Sequence, residues 1–403
     1  MNVKPKMSIS DVDFVNNVHP YLAWMRENAP VYEATFTRGK SVYLVTRYDD
    51  VMGLLKGDEL MKNPQTARGK DGKKAMAWVP GMVEALMNNM LNTDEPDHRR
   101  LRNLVHKGFT PRRIQELEGQ IEGIAASLLD KAVAKGEFDL IQDFALPLPL
   151  TVIMEMIGIP EADRDKFARY ASSIVALPTT WNMIKMLPNL WLFFRYTRQL
   201  AAKRRAEPRD DLLTALALAE AEGDKLTENE LLSTIFLLLV AGHETTVNLI
   251  ANGMLALVDH PEQWARLRAE PELVPSAIEE FLRYDGPLVT TEMAFARHDF
   301  QLHGVDIPQG AMVLPAIMAA NRDETVFAEP NQLDIGRTPN KHLAFGQGIH
   351  YCLGAPLARL EGVKAFEMLL ARAPNLRLGV PRERLVYEQM PILHRLQSLP
   401  VVV

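Results

Sequence analysis

Residues 345–354 read Phe345-Gly346-Gln347-Gly348-Ile349-His350-Tyr351-Cys352-Leu353-Gly354 and hold the only cysteine of the chain. Glycines stand six and four residues before Cys352 and two after it. Without a Cβ, such residues let a backbone turn sharply and come close to a flat partner. Residues 355–370 then read as a helix, so Cys352 stands just ahead of a helix N-terminus. The unpaired N–H groups and the dipole there favour a thiolate over a thiol. One cysteine beside one histidine falls short of the ligand count of a zinc site.

Working outward, the 403 residues are 47% hydrophobic and 24% charged, with a formal net charge of -6. The balance is that of a globular chain and lacks the basic excess of a nucleic-acid binder. A single cysteine excludes an internal disulfide and suits a reducing compartment, so a cytoplasmic protein is expected. Residues 1–14 hold no apolar run of signal-peptide length. The most apolar later stretch is interrupted by Ser233, Thr234, His243 and Glu244, which argues against a membrane anchor.

The periodicity is mostly helical. Residues 41–47 (SVYLVTR) read as a strand. Helical patterns cover 111–135, 151–157, 161–175, 190–205 and 275–283. Thr227-Glu-Asn-Glu230 has the form of a capping box. It opens a long helix over 231–258, apolar on nearly all sides and therefore expected in the core. Residues 289–314 are strand-like, and 321–348 form a long irregular stretch of the kind that usually serves function. No repeat or Gly/Ser linker divides the chain. The expected fold is mainly α with a small β portion, one domain over 1–403, with 1–18 a loosely ordered N-terminal segment.

Three further patterns stand out. Ala241-Gly-His-Glu244-Thr245-Thr246 places a glycine and an acid inside the long apolar helix. The glycine costs about 1 kcal/mol relative to alanine, and the buried acid needs a partner. Glu280 and Arg283 are i and i+3, on one helix face. In Asp94-Glu-Pro-Asp-His98-Arg-Arg-Leu-Arg102, His98 and Arg102 are i and i+4, a pair suited to anionic groups.

Together these stretches resemble the cytochrome P450 family. F-G-x-G-x-H-x-C-x-G matches at every specified position, A-G-x-[D/E]-T and E-x-x-R match, and the segment from Asp94 resembles D-x-P-x-H-x-x-x-R of bacterial members. The motifs occur in family order, and the resemblance spans roughly residues 20 to 400. It implies the single-domain P450 fold, a triangular prism with the haem between the long central helix and the cysteine loop. Cys352 would be the axial ligand of haem b (iron protoporphyrin IX), a thiolate that favours O–O cleavage. Phe345, Gly346, Gly354 and Ala241 would line the haem, and His98, Arg102 and His350 would hold its propionates. Thr245 and Glu244 would be catalytic, handling protons at an oxygen pocket where the helix opens locally. Glu280, Arg283 and Arg337 would form a structural ion pair. Leu333 stands where Phe is more usual, and Ala294 where many bacterial members carry Arg. Arg297 is offset by three residues, hence on the other strand face, and does not inherit that role.

The implied activity is a haem-thiolate monooxygenase, inserting one atom of O2 into a lipophilic molecule of terpenoid, steroid, fatty-acid or polyketide type. Trp78, Val79, Leu86, Met87, Leu177, Val289, Thr290 and Ile392 are candidate pocket residues by the family's layout. One cysteine excludes an internal iron–sulfur cluster, and no dinucleotide fingerprint is present. Electrons would come from NAD(P)H through a separate ferredoxin reductase and ferredoxin to a monomer. Arg99, Arg100, Arg112, Arg113 and Arg359 are candidate cations for docking that partner on the cysteine side. A peroxide-driven enzyme and a non-enzymatic haem sensor are the alternatives. The intact Glu244-Thr245 pair speaks against the former, and the lack of a signalling segment against the latter.

Overall fold

The computed structural model describes residues 6–36, 39–67, 86, 89–175, 180–221 and 224–403. Five helices hold the residues of interest: α1 (Tyr48–Lys56), α2 (Asp97–His106), α3 (Glu228–Asp259), α4 (Val274–Asp285) and α5 (Ala355–Arg372). Five strands form the main sheet: β1 (Val31–Thr35), β2 (Ser41–Val45), β3 (Leu60–Met61), β4 (Ala294–Ala296) and β5 (Met312–Pro315). The chain is mainly α with a small β portion.

Contacts group the chain into two compact units, Met1–Arg68 with Ala125–Leu146 and Thr245–Val403, and Gly69–Ile124 with Pro147–Glu244. In the first unit the sheet order is β1-β2-β5-β4-β3. β1 and β2 form an antiparallel hairpin, and β5 returns parallel to β2. β4 runs antiparallel to both β5 and β3, pairing Ala294 with Val313 and Ala296 with Leu60. One face of this sheet is apolar. Val31, Val45, Ala296 and Val313 pack there with Tyr48, Val51 and Leu54 of α1 and with Leu343. The expected loose segment behaves differently from residue 6 on: helix Val12–Asn16 follows a bridge from Ser8 to Thr35, and Ile9, Phe14 and Val15 are buried. Apolar side chains at those positions gain more from burial than the short segment loses in entropy.

The second half of α3 packs against α4 and α5. Phe281 and Phe366 meet with ring centroids 4.9 Å apart. Gly253 and Gly362 allow this approach, because a Cβ on Gly253 would lie 2.7 Å from Phe281 and one on Gly362 3.2 Å from Ile278. In the second unit the first half of α3 packs on helix Thr180–Ala206 through Phe193 and Phe236, 5.7 Å apart. The capping box is formed reciprocally: Thr227 N–H donates to Glu230 Oε2 at 2.8 Å and Glu230 N–H donates to Thr227 Oγ1 at 3.3 Å. Among the described residues α3 alone is long and apolar enough to cross a membrane, and 61% of that stretch is buried within the chain itself.

Two glycine substitutions separate packing from propensity. Alanine in a helix interior gains about 1 kcal/mol over glycine, while overpacking costs about 1–3 kcal/mol. Gly253→Ala should therefore lower the melting midpoint. Gly123→Ala, in helix Glu118–Val133 with nothing within 4 Å of the added Cβ, should raise it.

Candidate active site

The cysteine loop is a closed turn seated on α1. Gly346 and Gly348 have φ of +68° and +70°, a region L side chains rarely adopt. A Cβ on Gly348 would stand 2.3 Å from the Leu55 carbonyl oxygen, so this glycine is required by both dihedral and contact. Cys352 N–H donates to the Phe345 carbonyl at 2.9 Å and Tyr351 N–H to that of Gly348 at 3.1 Å. Gly354 caps α5, whose first residue follows Cys352 by three. Cys352 is half-buried, and the missing side chain of Gly354 leaves its would-be Cβ 4.0 Å from Sγ.

Behind the loop, the Arg359 guanidinium lies 4.5 Å from the Phe345 ring centroid. It donates to both oxygens of Glu279 at 2.7 and 2.9 Å, and His342 Nε2 lies 3.0 Å from the same carboxylate. Burial alone would raise the Glu279 pKa, but His342 and Arg359 hold it down at about 2. These groups, with Tyr48, Met52 and Tyr351, line a cleft of about 370 Å³ that Lys56 and Lys341 also border.

The next residue of α4 begins a second network. Glu280 and Arg283 are fully buried, joined by two hydrogen bonds of 2.7 Å. Arg337 Nε reaches both Glu280 oxygens at 3.2 Å, so the structure brings Glu280, Arg283 and Arg337 together. Asn340 adds a donor at 3.1 Å and the Asp334 N–H another at 2.9 Å. Arg283 also donates to the carbonyls of Asn321, Pro330 and Gln332. The further hydrogen bonds help to offset the desolvation cost of burying this ion pair.

α3 runs unbroken from Glu228 to Asp259. The local opening implied by the resemblance is therefore not present in this structure, whose α-helix continues through Gly242. On a largely buried helix, Ala241 is exposed, Gly242 and Thr245 are half-buried, and Glu244 and Thr246 are buried. Ala241 and Thr245 are i and i+4 and share the accessible face. His243 is turned to its own helix, Nδ1 lying 2.7 Å from the Leu239 carbonyl.

Sequence reading missed Glu361. It lies on α5, fully buried, and hydrogen-bonds Thr246, the neighbour of Thr245. Burial pushes its pKa up to about 8 against the smaller opposite pull of Thr246. Its Oε2 has no hydrogen-bond partner among the described residues. The only sequence signal was an acid flanked by Leu360 and Gly362, with Leu357, Ala358 and Ala365 one turn away.

In the second unit, α2 carries His98, buried, and Arg102, half-buried. Burial, then the charge of Arg102, lowers the His98 pKa. The arginines proposed for docking are paired internally: Arg99 with Glu95, Arg100 with Asp224 and Glu230, Arg112 with Glu116, Arg113 with Asp210. Arg359 is held by Glu279, whereas Arg99 and Arg112 stay largely exposed beside their acids, where such pairs are weak and screened.

Of the pocket candidates, Val289 and Ile392 meet through an N–H to carbonyl bond of 2.8 Å. Thr290 is buried, with its hydroxyl donating to the Thr291 carbonyl at 3.0 Å. Leu86 is half-buried, while Trp78, Val79, Met87 and Leu177 lie outside the described residues. His350 is half-buried in the turn Gly348–His350. Ala294 is buried on β4, and Arg297 donates to the carbonyls of Asp58 and Leu60.

The donor chemistry fits a haem. A half-buried thiol offers the soft axial ligand, and among the described residues nothing lies within 4 Å of a Cβ built on Gly346. Comparison with known proteins agrees. The family model for cytochrome P450 matches residues 195–372. The chain is 42% identical over 410 residues to cytochrome P450 CYP107DY1 of Priestia megaterium, covering 98% of this chain and 99% of the relative. The solved structure of PksS, the cytochrome P450 of the Bacillus subtilis 168 bacillaene polyketide synthase, superposes with a TM-score of 0.91 at 39% identity, over 98% of each chain. P450BioI, solved with a hexadec-9Z-enoic acid-ligated acyl carrier protein, gives 0.87 at 35% identity, over 97% of this chain and 99% of that one.

The Glu361 carboxyl should make stability depend on pH. Its folded pKa of about 8 exceeds its ordinary value of 4.5, so the folded state holds a proton that the unfolded state releases. Its contribution is full below about pH 4.5 and is lost as pH rises through about 8. Glu361→Gln should therefore gain in melting midpoint over wild type as pH rises from 4.5 to 8.5, measured by calorimetry. A constant offset across that range would refute the assignment.

Proposed function

Because the chain belongs to the cytochrome P450 family and is an enzyme of that type, we propose that it is a cytoplasmic, monomeric monooxygenase of polyketide-like or fatty-acyl substrates, with haem b ligated by Cys352. The observation that carries this reading is the placement of Cys352, at the end of a glycine-bent loop and just before the N-terminus of α5. The substrate class is supported by the relatives, one named for polyketide biosynthesis and one solved with an acyl carrier protein.

When bound, the haem iron supplies the activation of O2 and the transfer of one oxygen atom to the substrate. The residues of the chain serve that chemistry. Cys352 offers a thiolate stabilised by the N–H groups and dipole at the start of α5. His98, Arg102 and His350 are the donors for the two propionates, where charge-assisted hydrogen bonds are strong. Glu244 and Thr245 form the proton route. A carboxyl can take up and release a proton, and a hydroxyl can accept one hydrogen bond while donating another. Thr245 stands on the accessible face of α3 and Glu244, one residue earlier, on its buried side.

Electrons come from NAD(P)H through a separate ferredoxin reductase and ferredoxin. Lys56 and Lys341, both exposed at the rim of the cleft behind the cysteine loop, are further cations proposed to meet an acidic partner.

Two outcomes test the reading. The dithionite-reduced protein with carbon monoxide should show the strongly red-shifted Soret band of thiolate ligation. Cys352→Ser should abolish that band, and its survival would remove Cys352 as ligand. Thr245→Ala should keep the band and keep consuming reducing equivalents, while product formation falls by about 10²-fold, the usual loss of one proton-transfer group. Unchanged product per electron consumed would remove Thr245 from the proton route.

A further inference from the structure

Ala294 leaves the β portion without a cation on the strand position where bacterial members commonly carry one. The neighbouring strand provides a substitute. β3 pairs antiparallel with β4 in the register Leu60 to Ala296 and Met61 to Phe295. Extending that register by one residue sets Lys62 opposite Ala294. Directly opposed residues of an antiparallel pair project from the same face. Lys62 also shares its face with Leu60, two residues back, and Leu60 packs on the apolar cluster containing Ala296, Val313 and α1. The cysteine loop sits on the end of that helix, with Gly348 against the Leu55 carbonyl. The Lys62 side chain is only 11% exposed. Its Nζ lies 3.4 Å from both the carbonyl and the Oε2 of Glu292, two residues from Ala294. The Glu292 side chain is 42% exposed, so this long contact is weakened by solvent. Arg297, the other nearby cation, donates to the carbonyls of Asp58 and Leu60 instead.

We propose that Lys62 is a haem-carboxylate anchor that takes over, from the adjacent strand, the position left without charge at Ala294. The inference rests on the haem-binding reading above and goes beyond it by assigning a cation that no motif marks. An ammonium on a four-carbon stem can span the inter-strand distance, whereas a side chain at position 294 would start directly opposite it. Lysine acts as a point charge and needs no bidentate geometry, which suits attachment from just beyond the end of a two-residue strand.

The test is the rate of haem loss from the purified holoenzyme to excess apomyoglobin, followed by the change in Soret absorption. Lys62→Met should accelerate loss about tenfold. Lys62→Arg, and Ala294→Arg placed in the Lys62→Met background, should bring the rate back toward wild type. After reconstitution with haem dimethyl ester, which lacks the carboxylates, wild type and Lys62→Met should lose the group at equal rates. Arg102→Ala serves as the reference for the underlying reading. If Arg102→Ala accelerates loss and Lys62→Met does not, the Lys62 assignment is overturned and the haem reading stands. Equal acceleration by Lys62→Met with the ester and with haem also overturns the assignment, since it marks a packing role. A protein that takes up no haem overturns both.

Discussion

The Glu280 carboxylate is buried without exposure, and its neutralisation organises much of the first unit. Arg283 alone would satisfy its charge but not all of its lone pairs. Arg337, Asn340 and the Asp334 N–H complete the set, and each comes from the irregular stretch that follows residue 321. That stretch has no ladder of its own to hold it. Its backbone carbonyls instead receive the remaining Arg283 and Arg337 donors. Removing the acid would strand Arg283 in the core at a cost of about 3–5 kcal/mol, and the segment that delivers the cysteine loop would lose its framework.

The neighbouring acid on α4 extends the same logic. Glu279 turns toward Arg359 of α5 and His342 of the loop approach, while Glu280 turns inward. Two consecutive carboxylates thus tie one helix both to the segment before Cys352 and to the helix after it. Phe345 under Arg359 and Gly348 against Leu55 fix the loop from two further directions. A metal-ligating thiol gains from such support, because its position must be held by residues other than the ligand itself.

α3 meets opposite demands along its length. Near its C-terminal half, Gly253, with Gly362 of α5 facing it, buys close approach to α4 and α5. Around residue 241, small side chains leave one face accessible. Between them, Thr246 faces buried Glu361 while Thr245 faces the accessible side. Adjacent hydroxyls are therefore split between a structural acid in the core and the proposed proton route, a division set by the roughly 100° step of the helix.

The sequence by itself determined the fold class, the capping box, the bounds of the long central helix and of the helix after Cys352, and the cysteine loop. All of these depend on local periodicity, turn residues or short spacings. It also named Glu280, Arg283 and Arg337, and the structure brings them together. Other features were decided only by tertiary structure. Asn340 and Glu279 gain meaning from partners tens of residues away, and Glu361 from Thr246 on another helix. The N-terminal segment found burial through Ile9 and Phe14. Arg100, Arg113 and Arg359 meet acids distant in sequence. The register that, extended by one residue, sets Lys62 opposite Ala294 comes from two strands far apart in the chain. Long-range pairing is invisible in a single sequence, since a charge carries no mark of the partner that will meet it or of the water it will lose.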